Sequence, residues 1–327
     1  MLRVFFLFLL LSFAGCTPKK ESKKKSQKEN LSKSQKPTIS SSSLIILGTI
    51  QDAGSPHIGC EKICCDSLFD RGTSNRKVVS LGLIDPESKK TFLIEATPDI
   101  TSQMKILLES INQGDKKTPD GILLTHAHIG HYAGLMYLGK EAMNAQNALV
   151  YAMPKMKTFL EKNGPWSQLV KNKNILITEI QDQKEIKLTK NISVTPVLVP
   201  HRDEYSETVG YKIKGPSKKC LFIPDIDKWN KWNKSIINEI KNVDYAFLDA
   251  TFYSGTEINN RNIKEIPHPF IIESMELFKN LSDADKAKVY FIHANHTNPI
   301  LDVNSREYKE VVQAGFHVAK QGQIFRF

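Results

Sequence analysis

In the first half of the chain, an apolar run, Ile122-Leu123-Leu124, leads into Thr125-His126-Ala127-His128-Ile129-Gly130-His131. Four apolar or small residues from Gly121 read as a short buried strand. The histidines then sit in a tight loop, and Ala133 to Leu138 reads as the start of a helix. His126 and His128 are two apart, so an extended backbone points both the same way and lets them grip one ion. His131 can turn toward a second site. Neutral imidazole is a good ligand for Zn²⁺ and other borderline metals. The chain has nine histidines, and three within six positions make unrelated loop residues the weaker explanation.

The rest of the chain supplies a framework for such a loop. Apolar runs predict strands at Ser43–Gly48, Val78–Ile84, Thr91–Ile94, Leu149–Met153, Ile175–Glu179, Ile192–Leu198, Thr208–Ile213, Cys220–Ile223, Tyr245–Leu248 and Val289–Ile292. Helical spacing predicts helices at Ile100–Ile111, Met156–Lys162, Lys231–Ile240, Ile271–Phe278 and Val303–Ala314. Strands alternating with helices suit a layered α/β domain with mixed sheets. No internal sequence repeat stands out.

The histidine segment resembles the metallo-β-lactamase superfamily, whose signature at such a junction is His-x-His-x-Asp-His. The resemblance implies a four-layer αββα sandwich over residues 44–327. It also implies further ligands at distant strand ends, and the matches follow in order. His201 follows Val197-Leu198-Val199-Pro200, Asp225 follows Leu221-Phe222-Ile223-Pro224, and His293 follows Val289-Tyr290-Phe291-Ile292. By that likeness His126, His128 and His201 form a first metal site. His131, Asp225 and His293 form a second, with Asp225 shared. Gly130 stands where the family has its aspartate, and glycine offers no side-chain ligand. The second site is therefore expected to be weak, altered or empty, with Asp227, Asp203 or Asp249 available to compensate. Glu95 lies where the family often has an orienting acid, and Asp99 is another candidate for that role. His268, between Pro267 and Pro269, is a candidate pocket residue with a catalytic role.

Cys60, Cys64 and Cys65 form a second cluster; only Cys16 and Cys220 lie elsewhere. A Cys60–Cys64 or Cys60–Cys65 disulfide would leave one thiol over. A zinc site on three cysteines needs one more ligand, and His296 is a candidate. This segment, Ala96-Thr97-Pro98-Asp99 and the stretch Phe291–Pro299 resemble a narrower branch. That branch holds pyrroloquinoline quinone biosynthesis protein B and the phosphodiesterase of the carbon–phosphorus lyase pathway. The likeness implies a structural zinc on Cys60, Cys64, Cys65 and His296.

The N-terminus reads as an address. Met1-Leu2-Arg3 precedes an apolar run from Val4 to Phe13, shorter than the roughly 20 residues of a membrane span. Ala14-Gly15-Cys16 then resembles a bacterial lipoprotein signal, residues 1–16, with Cys16 lipidated. Residues 17–43, rich in Lys, Ser and Gln, read as a flexible tether. Its eight lysines, opposed by Glu21 and Glu29, carry six of the net +10, so a nucleic-acid groove is not implied. The expected location is the bacterial envelope, lipid-anchored, with the outer membrane favoured and the domain facing the periplasm or the cell surface.

A metal on three histidines keeps a place for water and lowers its pKa to about 7. The expectation is a metallohydrolase of a small-molecule ester or phosphodiester, using zinc, with Fe or Mn as alternatives. Asp225 would orient the nucleophile. The rivals are an oxidoreductase of quinone-cofactor synthesis and a non-catalytic envelope metal-binding protein. The oligomeric state is not legible in the sequence.

Overall fold

The computed structural model describes residues 39–69, 76–111, 116–258 and 262–327. The expected signal segment with Cys16, and the tether as far as residue 38, lie outside the described residues. Packing begins before residue 44: Ile39 is buried and donates its N–H to the Ser110 carbonyl, and Ser42 and Ser43 are buried.

Among the described residues, fourteen strands form two sheets. The first is ordered β14-β1-β2-β3-β4-β5-β6, with β1 at Ser43–Gly48, β2 at Ser80–Asp85, β3 at Lys90–Ile94, β4 at Gly121–Leu123, β5 at Ala148–Ala152, β6 at Ile175–Glu179 and β14 at Ile324–Arg326. The second is ordered β13-β12-β11-β10-β9-β8-β7, with β7 at Ile186–Lys187, β8 at Ser193–Leu198, β9 at Val209–Lys214, β10 at Lys219–Ile223, β11 at Tyr245–Asp249, β12 at Val289–Ile292 and β13 at His317–Val318. Each sheet is mixed. From β14 to β3 neighbours run antiparallel, and from β3 to β6 parallel. The second sheet is antiparallel from β7 to β10 and parallel from β10 to β13.

Strands such as β1 and β2 are buried along their whole length, as their unbroken apolar runs require when both sheet faces are covered. Between the sheets lie Leu44, Ile46, Phe92, Tyr211, Phe222 and Phe247. Met104 and Leu107 of the helix Ile100–Glu109, with Met156 and Leu160 of Pro154–Lys162, cover the outer face of the first sheet. Ile236, Ile240, Ile271 and Phe278 do the same for the second. This is the four-layer αββα arrangement expected from the resemblance.

Several local expectations shift. Ala133–Leu138 is a 3₁₀ helix behind one short α turn, Ile129–Tyr132. The Gly134 N–H bonds to the Ala96 carbonyl, drawing the chain against the neighbouring loop. The single helix expected over Lys231–Ile240 is two pieces, Trp229–Lys231 and Ile236–Lys241. Trp232 is extended, with its indole N–H donated to the Leu198 carbonyl at 2.8 Å, and Ser235 caps a fresh start. The helices Ile63–Phe69 and Trp166–Lys171 and the short strands β7, β13 and β14 carry too few residues for a periodic signal.

The pairing pattern decides where the site lies. β1, β3 and β4 run the same way in one sheet, and β8, β10, β11 and β12 the same way in the other. The loops after them meet at one edge of the sandwich, where α/β sheets gather their functional residues.

Candidate metal centre

Four residues from three of these loops come together first. His126 Nε2 lies 2.9 Å from His128 Nδ1 and 3.3 Å from Asp225 Oδ2. His201 Nε2 lies 3.3 Å from both His128 Nδ1 and Asp225 Oδ1. Ligand atoms about 2.0–2.1 Å from a tetrahedral ion stand roughly 3.3–3.4 Å apart, so this spacing fits one metal. The other nitrogen of His126 is prepared to match. Thr125 Oγ1 is 2.8 Å from His126 Nδ1 and can accept its N–H, leaving the Nε2 lone pair for the centre.

A second set surrounds Asp225. His131 Nε2 is 3.5 Å and His293 Nε2 3.8 Å from Asp225 Oδ2. Both rings are fully buried, yet His131 Nδ1 and Nε2 and His293 Nε2 make no hydrogen bond. Buried polar atoms without partners are costly, and a cation would satisfy these. Glu95 Oε1 stands 3.5 Å behind His131 Nδ1, in the orienting place expected of it. Thr251 accepts from His293 Nδ1 at 2.9 Å and donates its own O–H to Asp249 Oδ1 at 2.8 Å. Glu95 and His293 both hold a left-handed backbone, φ +75° and +70°, an uncommon state for non-glycine residues that clusters at functional sites.

At His126, His201, His293 and Asp225 the charges agree with ligation. Burial holds His126 and His293 well below their ordinary pKa and His201 at about 4, so these rings are neutral. Burial would raise Asp225, but the charged His268 ring and the hydrogen bond from His126 outweigh it and keep the carboxylate ionised. For His131 burial again acts downward, and the carboxylates of Glu95 and Asp225 pull it up. His268 is reached by the loop before the helix Ile271–Phe278. Its Nδ1 lies 2.9 Å from Asp249 Oδ2 and 3.2 Å from Asp225 Oδ1. Those carboxylates overcome its burial and hold it charged up to about 9.

The cysteine cluster is a separate place. Cys60 and Cys64 sulfurs are 3.9 Å apart, as are Cys64 and Cys65. His296 Nδ1 lies 3.6 Å from Cys64 Sγ and 3.3 Å from Cys65 Sγ. A disulfide needs about 2.05 Å, so none joins these sulfurs. Tetrahedral thiolates about 2.3 Å from zinc would stand roughly 3.8 Å apart, which this cluster matches.

Comparison with known proteins gives the lineage. A model of the beta-lactamase superfamily domain matches residues 90–294. The chain belongs to the beta-lactamase superfamily. Coenzyme PQQ synthesis protein B of Methylorubrum extorquens strain PA1 is 23% identical over 309 residues, covering 85% of this chain and 98% of that protein. The same-named protein of Acinetobacter baylyi is 25% identical, covering 85% and 98%. Among solved structures, Zn²⁺-bound PqqB from Methylobacterium extorquens overlays with a TM-score of 0.72 at 20% identity, over 87% of this chain and all of that one. A diphosphatase of the PhnP family overlays at 0.62 with 21% identity, over 88% and 98%. These likenesses show the metallo-β-lactamase fold.

Within the beta-lactamase superfamily frame, the structure groups His126, His128, His201 and Asp225, then Asp225 and His293 with Asp249 and His268, and His131 and His293 with Asp52. It corrects the compensating acids. Asp227 pairs with Lys231 at 2.6 Å, and Asp203 accepts from Thr208 at 2.7 Å, so both are engaged elsewhere. Asp249 does reach the centre, beside His268 and His293. Asp99 accepts the Val78 N–H at 2.8 Å and braces the approach to β2. Trp229 and Trp232 are core residues. The residue missed in the sequence is Asp52, in the loop after β1, which groups with His131 and His293. Its one sequence signal was its place just past an apolar strand.

Proposed function

We propose that this chain is a metal-dependent hydrolase of ester or phosphodiester bonds. The observation that carries the proposal is the set His126, His128, His201 and Asp225, spaced for a single ion. Zinc suits these nitrogen and oxygen donors, with Fe or Mn as alternatives, and when bound would polarise the scissile group and acidify a water. The protein's own groups do the rest. Asp225 Oδ1 is buried without a hydrogen-bond partner and is fit to accept one from the attacking water. His268, charged and with 12% of its side chain exposed, can give its proton to the leaving group. The similar fold of a PhnP-family diphosphatase supports testing phosphorus esters first.

The test is turnover of bis(p-nitrophenyl) phosphate and p-nitrophenyl acetate by the purified chain supplied with zinc, against His126→Ala. Loss of at least about 10²-fold supports the site; full activity in the variant removes it. Metal analysis separates the second assignment, a structural zinc on Cys60, Cys64, Cys65 and His296. His126→Ala and Cys64→Ala should each lose a different equivalent. If neither changes the metal content, both assignments fail.

A second reading, a redox role like that of coenzyme PQQ synthesis, is favoured by the near full-length match to proteins of that name. Dependence of turnover on oxygen and iron would select it. We also propose lipidation at Cys16 and an envelope location. Incorporation of labelled palmitate that persists in Cys16→Ala would reject this.

A further inference from the structure

We propose that Asp52, brought in from the loop after β1, is the carboxylate ligand of the second metal position, and that Gly130 is the space kept open for it. This rests on reading the centre as a metal site.

Three observations converge. Asp52 offers a carboxylate oxygen within 4.8 Å of ligand nitrogens of His131 and His293. Both of those rings are fully buried, and His131 Nε2 and His293 Nε2 make no hydrogen bond. A Cβ built on Gly130 would lie 2.1 Å from Asp52 Cβ and 2.5 Å from its Cα. No side chain at 130 can therefore coexist with Asp52 in its place. The glycine that seemed to subtract a ligand from the histidine loop makes room for one from another strand.

The backbone also holds Asp52 in place. Ile50 bridges to Ala294, the residue after His293. The Gln51 N–H bonds to the Ala294 carbonyl at 3.0 Å, and the Ala294 N–H to the Thr49 carbonyl at 2.9 Å. Asp52 and His293 are thus held by one pair of hydrogen-bonded segments. Farther along the same loop, the His57 N–H donates to Cys65 Sγ at 3.3 Å, beside His296.

The test is zinc and cobalt(II) titration of the full chain, read as metal bound per chain and as the cobalt ligand-field spectrum. The wild type is compared with Asp52→Asn, Gly130→Ala, His131→Ala and the double variant Asp52→Asn/His131→Ala. Asp52→Asn keeps shape and removes charge, and thermal melts confirm folding. We expect Asp52→Asn to weaken one equivalent by at least tenfold, the same one that His131→Ala loses, with the double variant losing no further equivalent. Gly130→Ala, which removes no ligand atom, should weaken that equivalent too by displacing Asp52. Retention of that equivalent within twofold in Asp52→Asn, while His131→Ala loses it, overturns the assignment to Asp52 alone. If His126→Ala and His131→Ala both keep all their metal, the reading of the centre as a metal site falls with it.

Discussion

His268 shows how much one imidazole depends on its neighbours. Alone in the core it would be neutral, but Asp249 and Asp225 hold its proton up to about 9. As a proton donor it matters most when the leaving group is a poor one. His268→Gln is expected to slow hydrolysis of an alkyl ester or alkyl phosphodiester about 10²-fold or more in kcat, and to leave p-nitrophenyl substrates much less affected; parallel kinetics with the two leaving groups checks this. Glu257 is a second displaced group. Burial raises its carboxyl to about 7, although Oε2 accepts the N–H groups of Tyr253 and Ser254 at 2.6 and 2.7 Å. An unfolded Glu titrates near 4.3, so the folded chain binds this proton more tightly. The stabilisation is full below about pH 4 and is lost as pH rises toward 7. Glu257→Gln should flatten that fall, by roughly 2 kcal/mol after allowing for partial exposure; urea unfolding at pH 4.5 and 7.5 measures it. Neither displaced value was legible in the sequence. Each depends on burial and on distant carboxylates or loops.

At the scale of elements, the two sheets are stitched together where the histidine loop begins. Tyr211 in β9 donates its hydroxyl to the Leu124 carbonyl at 2.5 Å, just after β4, and the Val209 N–H bonds to the Thr125 carbonyl at 3.1 Å. The second sheet therefore sets the height of His126 and His128. Tyr211→Phe leaves a buried carbonyl unsatisfied and should cost about 1–3 kcal/mol, with weaker zinc binding at the first position; urea unfolding and zinc titration test both. The strands bearing ligands were readable because each is an apolar run closed by a polar residue. The Lys231–Ile240 segment was misread because Trp232 is drawn into the core, which a helical spacing of apolar residues does not reveal.

Across the whole molecule, one apolar layer lies between the sheets, and the candidate ligands gather on the loops at one edge. Phe222, fully buried in that layer, packs among residues of both sheets. Phe222→Ala is expected to cost about 3–5 kcal/mol, seen as a lower urea midpoint, while metal bound per chain under native conditions stays the same. That separation follows from the architecture: packing sits between the layers, and chemistry sits on the loops at one end. The sequence by itself determined the layered α/β class, the apolar strands, and the candidate ligands that directly follow them, because strand burial and placement at strand ends are local properties. Tertiary structure alone decided that Asp52 meets His131 and His293, and that His268 rests on Asp249. Those meetings depend on strand order and direction, set by pairing between distant segments, which no local periodicity encodes.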